Sequence, residues 1–467
     1  MSAAAGGPVP AQVPGGTSMP GEPWPRSARR DGDGVVHVAG VDVRDIAAEH
    51  GTPAYLVDEA DMRGRARAYR TAFEAAFAEI GAEVDVYYAG KAFLSTAVAR
   101  WMHAEGLRID TASGAELLTA LRAGVPGADI GLHGNNKSDA EIARALDEGV
   151  GRIIVDSLAE IERVADAAGA RGVTAPVMVR VTTGVHAGGH EYIATAHEDQ
   201  KFGLSVAAPD GADSPALVGL LAVLARPELT LQGIHSHIGS QILDASGFAA
   251  AAHKVLELRG TLAARTGVLV DEVDLGGGYG IAYLPGEVAL DPERVAKEIA
   301  SAVADVAATL GQPLPRFSIE PGRSIAGPPG TTLYTVGTIK PVRVDDTTSR
   351  LYVSVDGGMS DNVRPALYGA AYHAEVAGRL STAEPVLARV VGKHCESGDI
   401  VVHDVWLPAD VRAGDLLLVA ATGAYGRSMA SNYNMVPRPP VLALVDGRAR
   451  VLVRRETEDD LLALDVG

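Results

Sequence analysis

From residue 83 the chain alternates between two hydrophobic periodicities. Short runs rich in β-branched and aromatic residues read as strands: "EVDVYYAGK", "LRIDTAS", "DIGLHGN", "GRIIVDS", "APVMVRVTT", "LQGIHSHIGS", "DEVDLGGG" and "RFSIEPGR". Between them lie stretches such as "GAELLTALRAG" and "SDAEIARALDEG", apolar at helical spacing and closed by glycine. Eight strands alternating with helices between residues 83 and 323 predict a (β/α)8 barrel of the TIM type. A doubly wound open sheet is the alternative, and eight unbroken repeats favour closure. After Gly327 the runs "TTLYTVGTIKPVRV", "RLYVSVDGG", "EPVLARVVGKHC", "DLLLVAATGAYG" and "ARVLVRR" are divided by turns, an all-β pattern. The early stretch "GVVHVAGVDVRDIAAEHGTPAYLVDE" holds strand-like pieces too. The expected organisation is therefore α/β. A disordered tail over residues 1–32 precedes the first part of a β domain over 33–60. A barrel over 61–326 follows, then the main part of the β domain over 327–467.

Composition narrows the function classes. Hydrophobic residues make up 47% of the 467 positions and charged residues 21%, as in a globular protein with a large core. A formal net charge of −18 argues against a nucleic-acid-binding surface. The proline- and glycine-rich start has neither a basic flank nor a continuous apolar core, so it reads as a tail and not as a signal peptide. No run of about 18 apolar residues predicts a membrane span. The expected location is the cytoplasm. Cys395 is the one cysteine, which excludes an intrachain disulfide and leaves a thiol that is either inert packing or chemically employed.

Every predicted barrel strand ends on a polar residue or glycine: Lys91, Asp110 with Ser113, His133 with Asn135, Asp156, Arg180, His237 with Ser240, Gly276 to Gly278, and Glu320 with Arg323. Barrel active sites lie at the C-terminal ends of the strands, so these side chains converge on one mouth. Lys91 is either a surface lysine at a strand–helix junction or a nitrogen placed to condense with a carbonyl compound. "GGG" at 276–278, following a strand and leading into a helical turn region, can surround a phosphate or make a tight turn. Arg323 in "EPGR" suits a phosphate or carboxylate. "HSHIGS" sets His235 and His237 on one strand face, a pattern that also suits a divalent metal. The guanidinium of strand eight's "EPGR" would repel a dication, so no metal is expected. Lysine, phosphate cradle, flat histidine and strand-end carboxylate together match the needs of pyridoxal phosphate.

The motifs "YYAGKAF", "HGNNKS", "HSHIGSQ", "LGGGYG", "EPGRSI", "DGGMSDNVRPALYGA", "CESGD" and "GAYGRSMASNYN" resemble, in order, those of the diaminopimelate decarboxylases. This family combines an alanine-racemase-like barrel with a β domain. The resemblance covers about residues 35–460. It implies decarboxylation of meso-2,6-diaminopimelate to L-lysine, with Lys91 bonded to pyridoxal 5'-phosphate and Cys395 as the proton donor. His237 would stack on the cofactor ring and Glu320 would face its nitrogen. Ser240, Gly276, Gly277, Gly278, Gly322 and Arg323 would surround the phosphate, and Tyr425 would reach the cofactor. Arg323, Arg364, Tyr368, Glu396 and Tyr425 would read the far end of the substrate. The family also implies a homodimer with shared active sites. Phe93 departs from the asparagine of many relatives and leaves the contacts at that spot open. Alternatives are a decarboxylase of ornithine, arginine or carboxynorspermidine, a racemase, or a non-catalytic cofactor-binding paralogue. The paralogue would have no need of the thiol in "CESGD".

Overall fold

Eight parallel strands close on themselves in the computed structural model, which describes residue 19 and residues 21–185, 201–345 and 349–467. We label them β1 (Val84–Ala89), β2 (Arg108–Thr111), β3 (Ile130–Leu132), β4 (Arg152–Val155), β5 (Ala175–Thr182), β6 (Leu229–Ser236), β7 (Glu272–Asp274) and β8 (Arg316–Ile319). Each pairs with its sequence neighbour, and β8 pairs with β1 through Phe317 opposite Val84, so the sheet is a barrel and not an open sheet. Buried on both faces, the strands read as nearly continuous apolar runs.

The connections are fixed by serine and aspartate caps. Ser95, Ser113, Ser138, Ser157 and Ser214, with Asp291, each accept a backbone N–H three residues into the helix that follows. Such a cap contributes about 1 kcal/mol and sets where the helix begins. Six of the seven helices that follow strands β1 to β7 begin in this way; the seventh, Ser246–Thr266 after β6, has Ala245 at its N-cap and no side-chain cap. An eighth, Glu59–Glu79, precedes β1. Its Tyr69, Phe73 and Phe77 form an aromatic ladder that reaches Tyr279 and Phe317, with ring centroids 5.0–6.2 Å apart.

The chain divides into two compact units. The barrel unit is Arg63–Gly280 with Leu290–Ser324; the β unit comprises the described residues of Met1–Met62, Ile281–Ala289 and Ile325–Gly467. In the β unit, strand Gly330–Arg343 pairs antiparallel with Ala54–Asp58 and Leu416–Val419 through its buried first half, and with Ser349–Val355 through its second. Strand Ala54–Asp58 precedes the barrel in sequence, yet it lies between two strands that follow the barrel, Gly330–Arg343 and Val441–Val445.

Several parts of this unit escape the sequence pattern, strands Ala374–Val376 and Val441–Val445 among them. Of the tail expected over 1–32, residues 1–18 and 20 lie outside the described residues. From residue 21 the chain is built in: Trp24 is 2% exposed and packs with Val36, Leu56 and Leu418. Trp24 with Ala28 in the core, and Ser27 and Arg30 bonded to Asp58 and Glu375, anchor this stretch, and composition averages that signal away. Strand Ile400–Pro408 was also hidden. A register shift against Pro385–Val391 turns the adjacent Val401 and Val402 both inward and breaks the alternation.

Candidate active site

Lys91 sits on a single 3-10 turn, Gly90–Ala92, directly after β1. The turn hugs the barrel because two glycines permit it. A Cβ on Gly90 would lie 2.7 Å from the Asp110 carbonyl oxygen, and one on Gly322 would lie 3.0 Å from the Ala89 Cβ. Phe93 is buried, and its carbonyl accepts the Tyr88 hydroxyl at 2.7 Å. Its backbone thus fixes the loop without a side-chain amide. Lys91 lines a cavity of about 230 Å³ together with Asp110, His133, Arg180, Lys201, His235, His237 and Glu320.

Beneath the cavity Arg152 crosses the barrel interior, 1% exposed. It pairs with Asp274 at 2.7 Å, Glu272 at 3.1 Å and Asp110 at 3.5 Å, with its guanidinium stacked 3.5 Å from the Tyr87 ring. Above it Glu320 Oε1 meets His235 Nε2 at 3.1 Å, His133 Nε2 at 3.2 Å and Arg152 Nη2 at 3.7 Å. The histidines approach off the hydrogen-bonding line, so these are charge contacts and not aligned hydrogen bonds. Burial alone would raise the Glu320 pKa; His133 and His235 outweigh it and hold the carboxyl well below its usual range. Burial likewise opposes a charge on His133, yet Glu320 and Asp110 push its pKa up to about 9. Asp110 is pushed up by burial and by Glu320.

His237 behaves oppositely. Part of its ring still faces the cavity, yet the surrounding protein, and then Lys91, drive its pKa well below the ordinary imidazole value. Its Nδ1 accepts the Gly277 N–H at 3.1 Å, so the neutral ring carries its proton on Nε2. The glycine run works as close packing, with neighbouring backbone filling the place of each side chain. A Cβ would lie 2.5 Å from the Ser236 carbonyl oxygen on Gly276, 2.2 Å from that of Glu320 on Gly277, and 2.6 Å from that of Gly239 on Gly278. The Gly276 N–H is taken by Asp274 at 2.6 Å and that of Gly277 by His237. Contrary to the sequence expectation, no helix follows directly, the next one beginning at Pro292. Arg323 Nη2 donates to Ser240 Oγ at 2.8 Å beside this run, giving a guanidinium and a hydroxyl for an anion.

In the β unit, Cys395 and Glu396 are exposed on the loop after strand Pro385–Val391. Tyr425 has a left-handed backbone, φ 60°. Arg364 is buried between two tyrosines, donating to Tyr283 Oη at 2.8 Å and also to Tyr372 Oη. Tyr368 is exposed one helical turn later.

A profile described as "Pyridoxal-dependent decarboxylase, pyridoxal binding domain" matches residues 60–327. The diaminopimelate decarboxylase of Mycobacterium tuberculosis is 51% identical over 447 residues, 95% of this chain and 97% of the relative. That of Bacillus subtilis is 42% identical over 440 residues, 94% and 97% of the two chains. The crystal structure of diaminopimelate decarboxylase from M. jannaschii with L-lysine superposes with a TM-score of 0.85 at 31% identity, covering 95% of this chain and 98% of that one. The chain belongs to the diaminopimelate decarboxylase family.

Such a family needs pyridoxal phosphate, and the barrel mouth fits it. Arg323 and Ser240 offer a guanidinium and a hydroxyl for its phosphate, and buried polar atoms of Glu320 and Asp110 at the cavity lack a hydrogen-bonding partner. Lys137, in the "HGNNKS" motif, is no rival to Lys91. It is 3% exposed, and its Nζ donates to Gly134 O, Ile154 O and Glu160 Oε2 at 2.5–3.0 Å. Among the described residues His133, His235 and Glu320 have the donor types of a metal site. A dication there would also meet the Arg152 guanidinium, whose Nη2 lies 3.7 Å from the carboxylate. Sequence reading did not single out Arg152 or the pairing of His133 with Glu320, because both depend on strand register around the barrel.

Proposed function

We propose that this enzyme decarboxylates meso-2,6-diaminopimelate to L-lysine and CO2, with pyridoxal 5'-phosphate held at the barrel mouth. The observation that carries this reading is the pairing at one cavity of an exposed lysine, Lys91, with a carboxylate kept ionised by two histidines, Glu320. Lys91 Nζ would bond the cofactor, the uncharged face of His237 would lie along its ring, and Glu320 would keep a proton on its ring nitrogen. Arg323 and Ser240 would hold its phosphate, with the backbone of Gly276, Gly277, Gly278 and Gly322 lying against it. When bound, the cofactor supplies the electron sink that accepts the pair left as CO2 departs. Cys395 would carry a proton on Sγ and return it to the substrate's α-carbon. Arg323, Arg364, Tyr368, Glu396 and Tyr425 would bind the distal amino-acid head, whose carboxylate and ammonium match these charges and hydroxyls.

We further place the enzyme in the cytoplasm as a homodimer, in which Cys395 and Glu396 of one subunit complete the partner's barrel site. The exposure of both residues and the lone free thiol support this; among the described residues no helix is long and apolar enough to cross a membrane. The test is CO2 release from diaminopimelate, lysine, ornithine, arginine and carboxynorspermidine in parallel. A site built for a distal carboxylate leaves polar groups unpaired with the other substrates, a mismatch that can cost a factor of about 10⁴. Turnover of ornithine or arginine at the diaminopimelate rate would overturn the substrate assignment while sparing the cofactor chemistry.

A further inference from the structure

The loop that presents Cys395 is held on both sides, and the two sides differ in kind. From within, Asp399 is the hub. Its carboxylate accepts Met359 N at 2.6 Å and His394 N at 2.8 Å, and its backbone carbonyl accepts Gly392 N at 3.0 Å. Gly358 and Gly392 close against it where a Cβ would come within 2.5 and 2.2 Å of its oxygens. This knot fixes the two ends of the segment 392–399. None of these bonds is to Cys395, whose own N–H has a different partner.

That N–H is taken by the side chain of Asn434 at 3.0 Å. A backbone N–H can only donate, so the atom facing it is the amide oxygen of Asn434. The chain adopts an uncommon conformation to put it there. Asn434 lies at φ 54° and ψ 26°, and the next residue, Met435, also has a positive φ of 57°. Left-handed backbone is tolerable for asparagine and unfavourable for methionine. Strain of this sort persists only where its surroundings enforce it. Here Asn432 is tied to Glu456 at 2.7 Å, Arg438 to the same carboxylate at 2.8 Å, and the Tyr433 ring packs 5.5 Å from that of His394. The turn is thus braced from behind while its tip reaches forward to Cys395.

We propose that Asn434 is a positioning residue for Cys395: its side-chain carbonyl holds the Cys395 backbone N–H and so sets the direction in which the thiol leaves the loop. The catalytic consequence rests on the proton-donor role proposed above for Cys395. Asn434 is exposed, so its hydrogen bond competes with water and adds little to global stability. Its effect on the thiol is therefore separable from folding.

The test compares holoenzyme carrying Asn434→Gly, which keeps the left-handed backbone and removes the acceptor, with Asn434→Asp, which keeps both. Turnover of diaminopimelate is read beside alkylation by iodoacetamide across pH, which reports Cys395 alone because the chain has one cysteine. Asn434→Gly is expected to lower kcat about 10- to 100-fold, the effect of an ångström-scale misplacement, with KM within about threefold. Its alkylation is expected to accelerate at least about threefold as the thiol samples more directions. Asn434→Asp is expected to stay within about threefold of wild type in both readouts. If Asn434→Gly keeps wild-type kcat while Cys395→Ala loses it, the positioning role is overturned and the role of Cys395 stands. If Cys395→Ala keeps full turnover, the proton-donor reading falls instead; alkylation then decides, an unchanged rate overturning the clamp and an accelerated one supporting it. Should Asn434→Gly fail to fold, amide hydrogen exchange on the native holoenzyme decides. Slowed exchange at Cys395 is expected, and exchange at the rate of a free peptide overturns the proposal.

Discussion

Lys137→Met removes an ammonium from a place where its side chain is 2% exposed. Methionine fills the volume of the lysine stem but cannot donate to the Gly134 carbonyl at 2.7 Å, the Ile154 carbonyl at 2.5 Å or Glu160 Oε2 at 3.0 Å. Glu160, 3% exposed, then keeps a buried charge supported by the Asp156 N–H at 2.9 Å. Breaking a buried pair from one side costs about 3–5 kcal/mol. Burial already weakens the hold of Lys137 on its proton, with Glu160 acting against it, so the lower end applies. For a unit of this size about 3 kcal/mol corresponds to a fall of roughly 6–12 °C in apparent Tm. Lys137→Met/Glu160→Gln removes the stranded charge as well and should recover more than half of that fall. Thermal melts at one fixed cofactor concentration make the comparison, since a bound ligand shifts Tm by itself. A single variant within 2 °C of wild type, or a double variant no better than the single, would refute the buried-pair argument. Borohydride reduction and peptide mapping of the same single variant should still tag Lys91, and a tag on Lys137 in the wild type would overturn the assignment of Lys91.

Gly277→Ala would place a Cβ 2.2 Å from the Glu320 carbonyl oxygen, so β7 and β8 must separate by about 1 Å and the His237 contact with them. Cofactor titration should show affinity lower by at least tenfold, and wild-type affinity would contradict the packing reading. Cys395→Ala should slow turnover by about 10²–10⁴, the usual contribution of a positioned general acid. Mixing it with Lys91→Ala chains should restore part of the activity through heterodimers with one intact site; no recovery after verified subunit exchange counts against sharing.

The fold was legible where one residue's environment is set by its neighbours in sequence. Barrel strands buried on both faces are mostly apolar, and the segments between them are apolar at helical spacing and closed by glycine, so strand number and order could be read directly. Closure was inferred from repeat count, and the pairing of Phe317 with Val84 is its physical form. Where a bulge or a single anchor decides, the pattern fails, as at Val401 with Val402 and at Trp24.

The candidate site shows the same boundary more sharply. Lys91, His237 and Glu320 could be found because each directly follows a strand, and the strand ends of a barrel share one mouth. Arg152 could not, because it begins a strand, where an arginine ordinarily faces solvent. Its burial depends on Asp274 and Glu272 on β7, Ser318 on β8 and Asp110 on β2 arriving at the same depth. Register also determines what Glu320 can do. A buried carboxylate alone would protonate and lose the charge proposed to face the ring nitrogen. His133 comes from the end of β3 and His235 from β6, and neither is near Glu320 in sequence. Only closure of the barrel brings their Nε2 atoms within 3.2 Å of it. The carboxylate is therefore visible as a residue in one strand, while its ionised state belongs to three.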